Sequence, residues 1–396
     1  MVLERLIEFL QIEKWRMVSR NRIEVLDSFR FFAILSVMLF HYYSFWFPPH
    51  FRVSICPYGN NYDYFSLGYL GVMFFFIISG FVITFTLHKT DSYSEFWAKR
   101  IIRLLPPMVL CALITWISFV LIDTNKVVPV GGGLINFIYS ITFISPDLLN
   151  KVFSFTSMHG EYVDPSYWSL WAEIQFYLVA SCFYFINKRK FVQNIFIFNL
   201  FLLIVNYLIL RVLDNSQTTN KFNLSVTKEF ISNYHFWTES VFNYIRFSLY
   251  FLMGVLFYNI YTRKNIMKTS IFLILTIVLN FYFVVNISSN NMLVALITGI
   301  MIMLFLIFSI FPEKIKFLSF RPLTVIGVSS YSLYLIHQYV GLILINKYAP
   351  SFGRFDYLFP LLVMTGMIFY CYYSYKYIEK PIGLLLKKAL IKKSTF

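Results

Sequence analysis

Residues 24–43 read EVLDSFRFFAILSVMLFHYY, and from Phe29 onward this mainly apolar run carries one arginine, Arg30, and one histidine, His41. In a helix, eleven residues at ~100° each end ~20° past three full turns, so the two side chains share a face ~16 Å apart along the axis. Ionisable groups are costly inside a membrane and normally face a cavity or a partner, which makes the pair a candidate functional site. The competing reading of these residues alone has Arg30 reaching back to the headgroups and His41 as a hydrogen-bonded core histidine.

The rest of the chain has the same character. Of 396 residues, 58% are apolar, 21% aromatic and only 13% charged, more apolar surface than a soluble domain of this length can hide. Ten stretches of about twenty mainly apolar residues stand out: 29–47, 68–87, 105–122, 168–186, 191–213, 241–260, 269–287, 292–311, 323–346 and 358–376. The expected fold is therefore all-α, a polytopic integral membrane helical bundle of about ten transmembrane helices. One shorter run, 134–146, is expected to be a re-entrant or interfacial segment. A net charge of +15 would elsewhere suggest nucleic acid, but the basic residues sit in short loops between spans, so no nucleic-acid partner is expected; the partner that composition implies is the lipid bilayer. Four scattered cysteines without ligand spacing support neither a disulfide framework nor a metal site.

Charge also orients the chain. If 134–146 does not cross, about three quarters of the 34 Lys and Arg residues fall on one side of the membrane together with both termini; if it crosses, the asymmetry vanishes. The positive-inside rule thus places both termini and loop 88–104 in the cytoplasm. Arg30 then lies near the inner face and His41 beyond the midplane. The segment DPSYWSLWAEIQFY (164–177) follows an external loop, with Glu173 near the outer boundary, and GGG at 131–133 lets the chain turn. The start mixes acids and bases and lacks a secretory apolar core, while Leu3, Leu6, Ile7 and Leu10 recur at helical spacing. Residues 1–22 are read as a cytoplasmic amphipathic segment, 23–382 as one integral domain without an appended soluble domain, and 383–396 as a basic cytoplasmic tail.

Five signatures, in order, resemble the acyltransferase 3 family of membrane O-acyltransferases: LDSFRFFAILSVMLFH (26–41); GYLGVMFFFIISGFVIT (68–84) followed by FWAKRIIRLLPP (96–107); YWSLWAEIQFYL (167–178); SSYSLYLIHQ (329–338); and YKYIEKPI (375–382). The resemblance implies a bacterial inner-membrane enzyme that moves an acyl group, usually acetyl, from cytoplasmic acyl-CoA to a sugar hydroxyl of an envelope polysaccharide such as O-antigen or exopolysaccharide, or of its lipid-linked precursor. Two departures are visible: Met73 stands where family members commonly carry an acid, and Ile174 where many have a second glutamate.

With that resemblance, His41 becomes the expected catalytic base or acyl carrier, and Arg30 the group that meets a donor phosphate or carbonyl. Glu173 is expected to orient the imidazole or the acceptor hydroxyl, against the alternative of a helix N-terminal acid favoured by the macrodipole. Arg100 and Arg103, with Lys99 adjacent, form a basic cluster suited to the phosphates of acetyl-CoA, against the alternative of ordinary positive-inside charge. His337, preceded by Tyr331 and Tyr334 at helical spacing, either lines the same cavity or packs in the core. Glu379 is read as structural, pairing with Lys380 or capping a neighbour, and His159, Glu161 and Asp164 as acceptor contacts or ordinary loop residues. The chain is expected either to finish the transfer itself or to hand the acyl group to a separate partner protein. A secondary transporter and a lipid-linked glycan flippase or polymerase are the rival classes; neither accounts for the basic FWAKRIIR loop together with WSLWAE.

Overall fold

The computed structural model describes residues 23–44, 55–58, 63–123, 133–155, 159–219, 224–283, 285 and 291–390; the expected amphipathic start at 1–22 and the tail from 391 lie outside them. Among the described residues the chain is helical without a strand, and nine helical runs are long and apolar enough to cross a membrane. The last run, Ser330–Leu390, contains two apolar helices, α13 (Ser330–Tyr348) and α14 (Phe359–Ser374), which turn back on each other through a 3₁₀ segment where Gly353 takes φ 55°.

The centre of the bundle is α9 (Tyr244–Tyr261), where every residue from Phe247 to Tyr261 is buried, the mark of a helix covered on all sides. It crosses α2 (Leu70–Leu87) closely because two glycines meet. A Cβ on Gly80 would stand 2.1 Å from the Phe251 carbonyl oxygen, and one on Gly254 would stand 2.1 Å from that of Ile77. Helix α1 (Glu24–Tyr43), which carries Arg30 and His41, packs against α2, α12 (Arg321–Val328) and α13.

Two stretches differ from their sequence outline. The expected span 323–346 is broken at Ser329 into α12 and α13; Pro322 opens α12, and the Ser329 hydroxyl donates to the Ile326 carbonyl at 3.1 Å, competing with helix continuation. The basic loop at 88–104 is for most of its length the start of α3 (Tyr93–Leu121), with Ser92 as N-cap accepting from Glu95 N at 3.2 Å, so Lys99, Arg100 and Arg103 are helical residues.

The run at 134–146 does not form a span. It holds α4 (Leu134–Ile141), ~12 Å long, followed by α5 (Pro146–Val152). The loop after them is stitched back by side chains: Glu161 N donates to Asn136 Oδ1 at 3.0 Å, Val163 N to Ser140 Oγ at 2.8 Å, and Gly160 N to Asn150 Oδ1 at 3.0 Å. Asp164 then accepts from Ser166 N (2.9 Å), Ser166 Oγ (2.6 Å) and Tyr339 N (3.0 Å), while Tyr167 donates to the Leu335 carbonyl at 3.0 Å. Asp164 is thus a buried clasp between the loop and α13, and Glu379 is likewise internal: it accepts from Ser332 Oγ (2.7 Å) and Ser374 Oγ (2.8 Å) and forms no ion pair with Lys380.

Candidate active site

His41 occupies the last turn of α1 and lines a cavity of about 380 Å³ with Trp168 and Trp171 of α6 (Trp168–Ile186), Gln338 of α13, and Glu161, Glu239 and Asn243. The His337 ring lies 5.1 Å from that of His41, centroid to centroid. His337 is fully buried; its Nδ1 bonds the Tyr334 carbonyl at 2.8 Å, its own carbonyl accepts from Tyr42 at 2.5 Å, and its Nε2 has no hydrogen-bond partner among the described residues. Two imidazoles thus meet beside an opening rimmed by tryptophan and by groups that can bond hydroxyls.

The arginines gather at the other end of the bundle, where α1 begins, α2 ends and α3 begins. Two adjoining cavities of about 70 and 350 Å³ share Arg30, Val82, Arg100 and Arg103. Arg30 is tied to Asp27 at 2.9 Å, one turn earlier on α1. Arg100 is only 6% exposed; its Nη2 donates to Thr86 Oγ1 at 3.2 Å, but Nε and Nη1 have no partner among the described residues. Glu173 is the one carboxylate lining the smaller cavity, where it accepts from the hydroxyls of Ser79 and Tyr177. Buried donors are normally satisfied, so an unsatisfied Nε and Nη1 on a buried cation that lines these cavities are consistent with a place for an anion or another strong acceptor.

Tyr334 lines both the arginine cavity and the His41 cavity. Its hydroxyl donates to the Ser166 carbonyl at 3.0 Å and bonds Ser169 Oγ at 2.8 Å, and its ring leans on Phe75 (5.8 Å) and His337 (5.4 Å). Tyr334 is thus the one side chain that the linings of the smaller arginine cavity and the His41 cavity have in common.

A family model described as an acyltransferase domain matches residues 23–376. The chain belongs to the acyltransferase 3 family. Among proteins similar to it, O-acetyltransferase OatA of Staphylococcus aureus (strain NCTC 8325 / PS 47) is 24% identical over 415 residues, covering 95% of this chain and 59% of the relative, so the chain spans about three fifths of the length of that protein. YrhL of Bacillus subtilis (strain 168), provisionally named a peptidoglycan O-acetyltransferase, is 30% identical over 167 residues, 40% of this chain and 23% of the relative. The O-acetyl transferase of Shigella phage Sf6 is 29% identical over 128 residues, 32% of each chain. No solved structure matches the chain.

Of the residues singled out in this acyltransferase 3 sequence, Arg30, Arg100, Arg103 and Glu173 come together in one compartment and His41 stands in the other. The structure does not bring Glu173 to His41. Lys99 is turned away: it pairs with Glu95 at 2.7 Å, bonds the Lys89 carbonyl at 3.2 Å and lines none of these cavities. Sequence reading passed over Ser79 and Tyr177. Tyr177 carried a signal, since it lies four residues after Glu173 on one helix face; Ser79, on another helix, carried none.

Proposed function

We propose that the chain is a membrane O-acyltransferase that takes an acyl group, acetyl by the chemistry its relatives are named for, from cytoplasmic acyl-CoA at the arginine cavities. It passes that group to a sugar hydroxyl of an envelope polysaccharide, or of its lipid-linked precursor, at the His41 cavity. The observation that carries this reading is Arg100, buried with Nε and Nη1 unsatisfied, beside a cavity that shares Tyr334 with the cavity of His41.

The reaction requires a highly charged donor head to stay on one side while a thin thioester arm crosses. Arg100 and Arg103 hold the donor phosphates, and Arg30, steadied by Asp27, meets the donor where it enters the bundle. Glu173, fixed by Ser79 and Tyr177, balances the arginines and sets their geometry rather than orienting the histidine. The arm runs along α1 past Tyr334. At His41 the imidazole takes the proton of the acceptor hydroxyl as its oxygen attacks the thioester carbonyl and the thiol leaves; alternatively His41 carries the acyl group between the two substrates. Trp168 and Trp171 offer the stacking faces a sugar ring uses, and the basic end of the bundle faces the cytoplasm.

Sealed membrane vesicles of known orientation test this reading. Radiolabelled acetyl-CoA added outside should label glycan only when the basic end faces outward. Equal labelling in both orientations, or acetate crossing the membrane without acyl transfer, would overturn it.

A further inference from the structure

We propose that a separate cavity at the basic end, between α2, α6, α7 (Phe191–Thr219), α9 and α10 (Ile266–Phe283), binds a phosphate-bearing anion. This cavity, about 410 Å³, shares no lining residue with the three described above, so the proposal stands apart from the acyl-transfer reading.

Its wall carries His88, Lys188, Arg189, Lys264 and Lys268 and no carboxylate. None of the five takes part in an ion pair among the described residues; Lys268 instead donates to Gln193 Oε1 at 2.9 Å. His88 Nδ1 bonds the Thr84 carbonyl at 2.9 Å, and its ring lies 5.2 Å from Tyr184 and 5.1 Å from Tyr258. Burial, opposed by the hydrogen bond to the Thr84 carbonyl and aided to a smaller degree by the charges of Lys264 and Lys188, holds His88 down at about 4.

Two further features point inward. Asn259, on the cavity wall, is 5% exposed, and its carbonyl accepts from Lys264 N at 3.0 Å and from Thr262 Oγ1 at 3.3 Å. Its side-chain amide adds a neutral hydrogen-bond donor to the lining, which suits a ligand oxygen. In addition, the first turns of α7 and α10 border the same space through Phe191, Val192 and Gln193 on one side and Lys268 and Thr269 on the other. The first N–H groups of a helix have no intrahelical partner and carry partial positive charge, which suits phosphate. The phosphate of an anionic phospholipid headgroup from the adjacent leaflet suits this basic lining, and a soluble phosphorylated compound offers the same phosphate chemistry.

The test uses the full chain in nanodiscs of neutral phosphatidylcholine, comparing wild type with Lys264→Gln/Lys268→Gln and Lys264→Arg/Lys268→Arg. Phosphatidylglycerol is doped into the discs in one arm and inorganic pyrophosphate is added to the neutral discs in the other. The readouts are melting temperature and lipid retained in native mass spectrometry. Wild type should be stabilised by one of the probes, the Gln pair should bind it about tenfold or more weakly, and the Arg pair should recover binding. Stabilisation by phosphatidylglycerol alone assigns the site to lipid, and stabilisation by pyrophosphate assigns it to a soluble anion. Wild type unresponsive to both, or a Gln pair that responds as wild type does, overturns the proposal; the first of these decides even if the Gln pair does not fold.

Discussion

Replacing Arg100 by Met should leave the protein as stable as wild type, or more stable, while impairing its use of acyl-CoA. The guanidinium donates from Nη2 to Thr86 Oγ1 at 3.2 Å, lies 5.9 Å from the ring centroids of Phe96 and Tyr177, and interacts electrostatically with Tyr177 and Glu173. Losing these contacts costs about 1.5–3 kcal/mol for the charged hydrogen bond and about 1 kcal/mol for each aromatic contact. Against that, the substitution removes a buried cation whose Nε and Nη1 are unsatisfied, each worth about 1–3 kcal/mol of desolvation, and Met keeps the apolar packing of the stem. The two sides nearly cancel. If those N–H groups meet a donor phosphate, losing even one charge-assisted hydrogen bond of about 1.5–3 kcal/mol raises KM for acyl-CoA by roughly ten- to a hundredfold. Thermal unfolding of the purified variant, together with initial rates of acyl transfer against donor concentration, separates the two quantities. A melting temperature that collapses while KM stays at the wild-type value would make Arg100 a structural residue and refute the reasoning.

Gly254→Ala should lower the melting temperature by an amount equivalent to about 1–3 kcal/mol, because its Cβ would meet the Ile77 carbonyl oxygen at 2.1 Å; an unchanged transition would mean that α2 and α9 do not cross so tightly. Tyr334→Ala should join the two compartments and raise the fraction of donor thioester lost to water, measured as free acetate against acylated glycan; an unaltered ratio would show that the ring does not separate them. Burial pushes the Asp164 carboxyl up to about 6 in spite of its hydrogen bonds from Ser166 and Tyr339. A raised acid pKa means that the folded protein holds the proton more tightly than the unfolded one, so this group's contribution to stability is present below about pH 4 and is lost as pH rises through 6. Asp164→Asn should remove that part of the slope of melting temperature against pH, and an identical slope in the variant would contradict it.

The bundle was legible in the sequence because hydropathy reports directly on what a membrane tolerates, and the family was legible because five signatures keep their order. The run at 134–146 was recognised as short, the charge asymmetry argued against its crossing, and α4 is indeed only about two turns long. The placement of Arg30 and His41 on one helix face followed from helical periodicity alone. What could not be read was the vertical offset between helices. Glu173 is about five residues into α6, and counting along its own helix placed it near the outer boundary with His41. Its true neighbours, Arg100, Arg103 and Ser79, come from α3 and α2, and only tertiary packing decides which turn of one helix meets which turn of another. For the same reason Asp164 looked like a loop carboxylate open to an acceptor, whereas it closes on Tyr339 N, 175 residues away. Lys99 shares the basic motif with Arg100, yet one residue further round the helix it turns to Glu95 and away from the cavity.

The most direct test of the central claim is to incubate membranes containing wild type or His41→Ala with radiolabelled acetyl-CoA and to follow label in protein and in glycan, with protein levels matched. The account predicts histidine-dependent label in glycan, appearing first in protein if His41 carries the acyl group. Glycan labelled equally by the His41→Ala variant would contradict it.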